Sequence, residues 1–329
     1  MNRTIHKLAT IAAIIAFCVI VLGAWVRLSH AGLGCPDWPG CYGELTWPVS
    51  SDEVDTANQA FPERPYEPTK AWREMVHRYL AGSLMLLVFA LAWIAWRNPH
   101  SKQNIKRISM ALVFLIIFQA LLGMWTVTLK LWPIVVMAHL LGGLLSFSLI
   151  LWLMFQSNPR AVSQPDNRSR KLRGAIVVGI IVLVTQIALG GWTSANYAAL
   201  ACPDIPTCTG QWWPETNFKE GFILWREIGV DYEGGVLDQA SRAAIHITHR
   251  IGAVLTLLVL IILAIRAIKI PRLRMGGKVL MALILAQFTL GILNVVLVLP
   301  LSNAVAHNAG AALLMASLLG LLSKTTNRT

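Results

Sequence analysis

Eight stretches of the chain stay apolar for about twenty residues or more, at about 8–28, 74–96, 106–129, 133–156, 173–196, 242–266, 277–298 and 302–322. Polar segments rich in charge, or in Pro and Trp, separate them. A stretch of this length crosses the roughly 30 Å hydrocarbon core as a helix, which satisfies its own backbone groups where water cannot. The pattern therefore predicts eight transmembrane helices. The first stretch is too long for the apolar part of a signal peptide and no small-residue cleavage site follows it, so it counts as a span. Composition agrees, since 56% of the 329 residues are hydrophobic and 13% are charged. Soluble domains carry about a quarter charged residues, and an ordinary water-soluble globule is excluded.

The net charge of +12 invites a nucleic-acid reading, but its distribution argues for topology instead. The N-terminal segment, the 97–107, 160–173 and 266–278 loops and the tail after Lys324 hold 18 of the 28 Lys and Arg and a single acid, Asp166. The remaining segments carry 10 basic and 15 acidic residues. The positive-inside rule then places both termini and the basic loops in the cytoplasm. Two long loops, about 29–73 and 195–241, fall on the outer side, which in a bacterial inner (cytoplasmic) membrane is the oxidising one. Nucleic acid is rejected as a partner; membrane lipid is required.

The halves repeat each other at an offset of 167 to 172 residues. Cys35-Pro-Asp-Trp-Pro-Gly-Cys41 matches Cys202-Pro-Asp-Ile-Pro-Thr-Cys208, Gln119 matches Gln287, His139 matches His307, and Glu74-Met-Val-His77-Arg78 lies over His246-Ile-Thr-His249-Arg250. Four spans per half give both repeats the same orientation and imply a pseudo-two-fold axis along the membrane normal. The expected fold is an all-α integral membrane protein of two tandem four-helix bundles, residues 1–158 and 159–329.

Of eight histidines, His6, His30 and His100 lie in or near polar segments and receive no role. His77, His139, His249 and His307 each sit a turn or two inside the outer end of an even-numbered span, hence at one depth. A lone membrane histidine commonly serves helix packing. Two per half, on neighbouring spans, suit the axial ligation of a haem iron by paired imidazoles. Gly82, Gly142, Gly143, Gly252 and Gly310 follow these histidines and leave room for a flat ring, although small residues also serve plain helix contact. Zinc would want four ligands close together, where each half offers two. Cys18 reads as buried filler in the first span.

The five-residue spacing within each cysteine pair suits neither a metal knuckle nor a redox Cys-X-X-Cys motif. Short disulfides, Cys35–Cys41 and Cys202–Cys208, are the favoured reading, as structural staples or, for the first pair, with a reactive or electron-relaying role. Glu74 stands one turn before His77 and shares its face, and a carboxylate there is costly unless paired or functional. Its repeat partner is His246, so the halves differ chemically at this point. Arg78 and Arg250 are candidates for pairing with haem propionates or for simple snorkelling.

These residues, in this order and at these depths, resemble the bacterial haem A synthase family over nearly the whole chain. The resemblance implies an oxidoreductase that converts the C8 methyl of haem O to a formyl group, with water-derived oxygen, to make haem A for aa3-type oxidases. It implies that the N-terminal half receives haem O at His77 and His139, that the C-terminal half holds haem b on His249 and His307, and that Glu74 is the catalytic carboxylate. Cys202 and Cys208 belong to only some members. A haem O synthase, oxidase assembly factors and a second copy of the chain are candidate partners, and the electron acceptor is open. A dihaem b-type electron-transfer cytochrome and a haem or quinone transporter are the rival readings. All four ligand candidates lie near one face, which argues against electrons crossing the membrane.

Overall fold

The structure, a computed structural model, describes residues 2–158 and 165–326. The expected start of the second half at 159, with Arg160 of the basic loop and Arg328 of the tail, lies outside them. The elements are α1 (Asn2–Leu28), α2 (Ser51–Ala60), α3 (Pro68–Arg97), α4 (Gln103–Thr128), α5 (Pro133–Ser157), α6 (Asn167–Ala195), α7 (Phe218–Gly221), α8 (Gln239–Ile268), α9 (Arg274–Val296) and α10 (Leu301–Ser323). Eight of these, all but α2 and α7, are long and apolar enough to span a membrane, so the chain is an all-α, multi-pass membrane protein.

Most helices overrun the apolar stretches that predict them, because polar turns at their ends are also helical. Proline opens α3 and α5 at Pro68 and Pro133, where its missing N–H costs nothing and its φ is already helical. Asp166 and Asp238 cap α6 and α8 by accepting the N–H of Ser169 at 2.9 Å and of Ser241 at 2.7 Å. The outer loops also fold more than the pattern suggests. The α2 helix is closed at its start by a capping box, in which Ser50 and Glu53 exchange hydrogen bonds.

In the first half α1 packs on α3 and α5, and α4 closes the ring; in the second α8 packs on α6 and α9, and α10 closes it. The seam between them is α1 on α10, with α5 against α6 and α10. One apolar cluster runs through both halves, including Ile5, Leu91, Ile105, Leu112 and Ile150 with Ile176, Leu260, Leu280 and Leu318. All of these lie toward the basic-loop ends of their helices. The opposite ends, toward the long loops, carry the four histidines above this packed floor. Cys18, expected as buried filler, is exposed on the outside of α1. Residues one face of that helix turns outward meet lipid, and a small apolar thiol there needs no protein partner.

Candidate functional site: two histidine pairs under two disulfide loops

The repeat places the histidines on α3 and α5 in one half and on α8 and α10 in the other. Within each half the two rings are close enough to interact electrostatically, His77 with His139 and His249 with His307. The glycines that meet these rings come from the odd-numbered spans. A Cβ on Gly23 of α1 would stand 2.9 Å from His77 Cε1, and one on Gly123 of α4 would stand 3.4 Å from His139 Cε1. In the second half Gly190 of α6 meets His249 at 3.0 Å and Gly291 of α9 meets His307 at 3.2 Å. The glycines expected to leave room for a flat ring mostly do something else. Glutamine side chains fill the notches at Gly142, Gly252 and Gly310, whereas Gly82 faces open space.

The rings fit a group that brings its own equatorial ligands and needs two imidazole nitrogens. The Nδ1 atoms of His77, His139 and His307 are buried without a hydrogen-bond partner, a costly state that a ligand or metal would relieve. Among the described residues no three His, Cys, Asp or Glu converge on one point, so the donor sets are pairs. That suits a haem iron better than zinc.

Above each pair sits a disulfide loop, Cys35–Cys41 in the first half and Cys202–Cys208 in the second, with all four cysteines buried. The loops match in detail. A carboxylate in each gathers two turn amides: Asp37 accepts from Tyr42 at 2.6 Å and Gly43 at 2.8 Å, and Asp204 from Thr209 at 2.6 Å and Gly210 at 3.0 Å. Both turn residues have positive φ, 56° and 82° in the first loop and 54° and 76° in the second, which the glycines adopt without strain.

The arginines that follow the histidines hold these loops. Arg78 donates to the carbonyls of Asp37 at 3.0 Å, Pro39 at 3.3 Å and Gly40 at 2.6 Å, and also pairs with Glu74. Arg250 donates to the carbonyls of Thr207 at 2.8 Å and Cys202 at 2.7 Å. Glu74 itself is 4% exposed and accepts the Cys35 N–H at 3.0 Å. In the other half His246 Nδ1 takes the equivalent N–H, that of Cys202, at 3.3 Å. The carboxylate is thus tied into the roof of the first site, and the second site has an imidazole at the same place.

Across the outer face the halves are joined by ion pairs of Arg64 with Asp231 and Glu233. Arg27 at the end of α1 donates to Tyr197 Oη at 2.9 Å and to the Ser194 carbonyl at 2.7 Å. Sequence reading missed these links and also missed Gln186, whose amide reaches His249. Gln186 has no counterpart in the other half to mark it, since the offset puts Val19 there.

Residues 6–319 match the family described as cytochrome oxidase assembly protein. The chain belongs to that family. It is 46% identical over 311 residues to a haem A synthase of Shewanella oneidensis, covering 94% of this chain and 93% of that one. It is 28% identical over 274 residues to a haem A synthase of Shouchella clausii, covering 82% and 78%, and 26% identical over 316 residues to one of Bacillus licheniformis, covering 93% and 91%. A match along nearly the whole length takes in both histidine pairs and both disulfide loops.

Proposed function

We propose that this protein is a haem A synthase, an oxidoreductase of the bacterial inner membrane with both termini in the cytoplasm. Membership of the family and the extent of the match support an enzyme that acts on haem. The observation that carries the reading further is the difference between two otherwise matching sites: a buried carboxylate, Glu74, roofs the first, and His246 takes its place in the second.

In this reading residues 1–158 take haem O as substrate, between His77 and His139, and residues 159–329 keep haem b on His249 and His307. Haem b supplies a one-electron redox centre in the half next to the substrate. The C8 methyl of haem O loses hydrogen and electrons in two rounds and gains oxygen from water. The resulting gem-diol loses one water to leave the formyl group, and the four electrons released pass to an external acceptor. Glu74 is the buried carboxylate in the roof of this site, and it takes up a proton or stabilises positive charge developing at the methyl carbon. Arg78 keeps that carboxylate beside the Cys35 loop. Its guanidinium already serves three loop carbonyls, so a propionate contact would be added to that duty. The packed apolar floor formed by α1, α3, α4 and α5 keeps water from the cytoplasmic side of the site.

Co-expression with a source of haem O, followed by chromatography of extracted haems, tests the reading. Conversion to haem A is expected, and unchanged haem O would return the chain to electron transfer or haem transport.

A further inference from the structure

Both histidines of the second half share a local device that the first half does not complete. On α8, Gly252 follows His249 by three residues, and the side chain of Gln186 from α6 fills the notch it leaves. The Gln186 amide nitrogen lies 3.0 Å from His249 Nδ1 and donates to the His249 carbonyl at 3.0 Å. On α10, Gly310 follows His307 by the same interval, and Gln287 from α9 enters its notch. The Gln287 amide nitrogen lies 3.4 Å from His307 Nε2 and donates to the His307 carbonyl at 2.9 Å. On α5 the notch of Gly142 takes Gln119 from α4, but the Gln119 amide nitrogen is buried there without a hydrogen-bond partner. A side chain as large as Ala at any of these glycines would overlap the amide.

At His77 both members of the pair change together. The residue three beyond it is Leu80, and the α1 position equivalent to Gln186 is Val19. His77 Nδ1 is buried there without a hydrogen-bond partner. Both residues are apolar, and neither offers an amide to the ring or to the backbone of its turn.

A metal-ligating imidazole is set in orientation and basicity by what its surroundings hold fixed. We infer that Gln186 and Gln287 are positioning residues that pin His249 and His307, and that the rings of His77 and His139 are held by no such amide. The second half then has two pinned ligands, which suits a resident haem. The first has neither ring pinned, which suits a haem that must enter and leave. This inference rests on the two-haem reading above.

The test uses full-length protein purified after co-expression with a haem O source, with haem transfer to apomyoglobin followed in time. Transfer is expected in a fast phase from the first half and a slow phase from the second. Gln186→Met keeps the notch filled without the amide. It should speed the slow phase on the order of tenfold and shift the low-spin EPR signal of the remaining haem. Val19→Gln with Leu80→Gly should install the device and slow the fast phase by a similar factor. His249→Ala is the reference: loss of the slow phase in that variant identifies the second-half haem. If His249→Ala leaves both phases, the two-haem reading falls. If it removes the slow phase while Gln186→Met changes neither the rates nor the EPR signal, the glutamine inference alone is overturned.

Discussion

Glu74 and His246 accept the same hydrogen bond in the two halves, from the backbone N–H of Cys35 at 3.0 Å and of Cys202 at 3.3 Å. Duplication kept the acceptor and changed its charge. Holding the disulfide loop therefore requires only an acceptor at this place, and the carboxylate adds something the loop does not need. Glu74→His, which copies the second half, separates the two roles. The loop should stay ordered and haem b should remain, while haem A formation falls on the order of 100-fold, as for loss of an acid–base group. Glu74→Gln should behave alike. Chromatography of haem O, the hydroxymethyl intermediate and haem A reads the outcome, and near-normal haem A from either variant would remove Glu74 from the chemistry.

The glycines facing the imidazoles make a steric prediction. A methyl group on Gly190 would stand 3.0 Å from His249 Cε1, closer than two carbons rest, so the ring must turn or the helices must part. Gly190→Ala should alter the optical and EPR spectra of the second-half haem. Gly174→Ala, at a position with nothing within 4 Å, should leave them unchanged. Identical spectra from both would mean that α6 does not form the wall of the site.

The two disulfides are alike in burial and in their loop contacts, but only the first is bonded to the catalytic candidate. Cys35→Ser with Cys41→Ser should lower haem A formation more than the same change at Cys202 and Cys208. Thiol labelling with and without reductant first establishes that both bonds are present. Equal losses from both pairs would assign them to stapling alone.

Alkaline pH should loosen the first loop. Tyr42 donates to the carbonyls of Arg64 at 3.0 Å and Pro65 at 3.3 Å. Burial and the charge of Glu67 push its phenol from 10.0 up to about 12. The folded state thus keeps its proton where the unfolded chain has lost it, so this contribution to stability is whole below pH 10 and fades between pH 10 and 12. Tyr42→Phe should cost about 1 kcal/mol at neutral pH. It should also flatten the loss of thermal stability between pH 10 and 12, measured against the parent protein.

Much of this molecule is determined locally and is therefore legible in the sequence. Span length and apolarity alone decide that α1, α3, α4, α5, α6, α8, α9 and α10 cross a membrane, because lipid demands internal backbone pairing of any segment that enters it. The depth of His77, His139, His249 and His307 follows from counting along those helices. The cysteine pairs, six positions apart, close loops too short to depend on the rest of the fold.

What the tertiary structure decides is which helix each side chain meets. Gly142, Gly252 and Gly310 read as room for a ligand, yet they receive Gln119, Gln186 and Gln287, and the glycines against the imidazoles belong to other helices. Glu74 reads as a neighbour of His77, yet it also accepts a backbone amide 39 residues away. Cys18 reads as core and faces outward. A span in lipid can turn any face inward, because tails and protein interior are equally apolar. Rotation of each helix about its axis is settled by packing against its neighbours, and hydropathy carries no record of it.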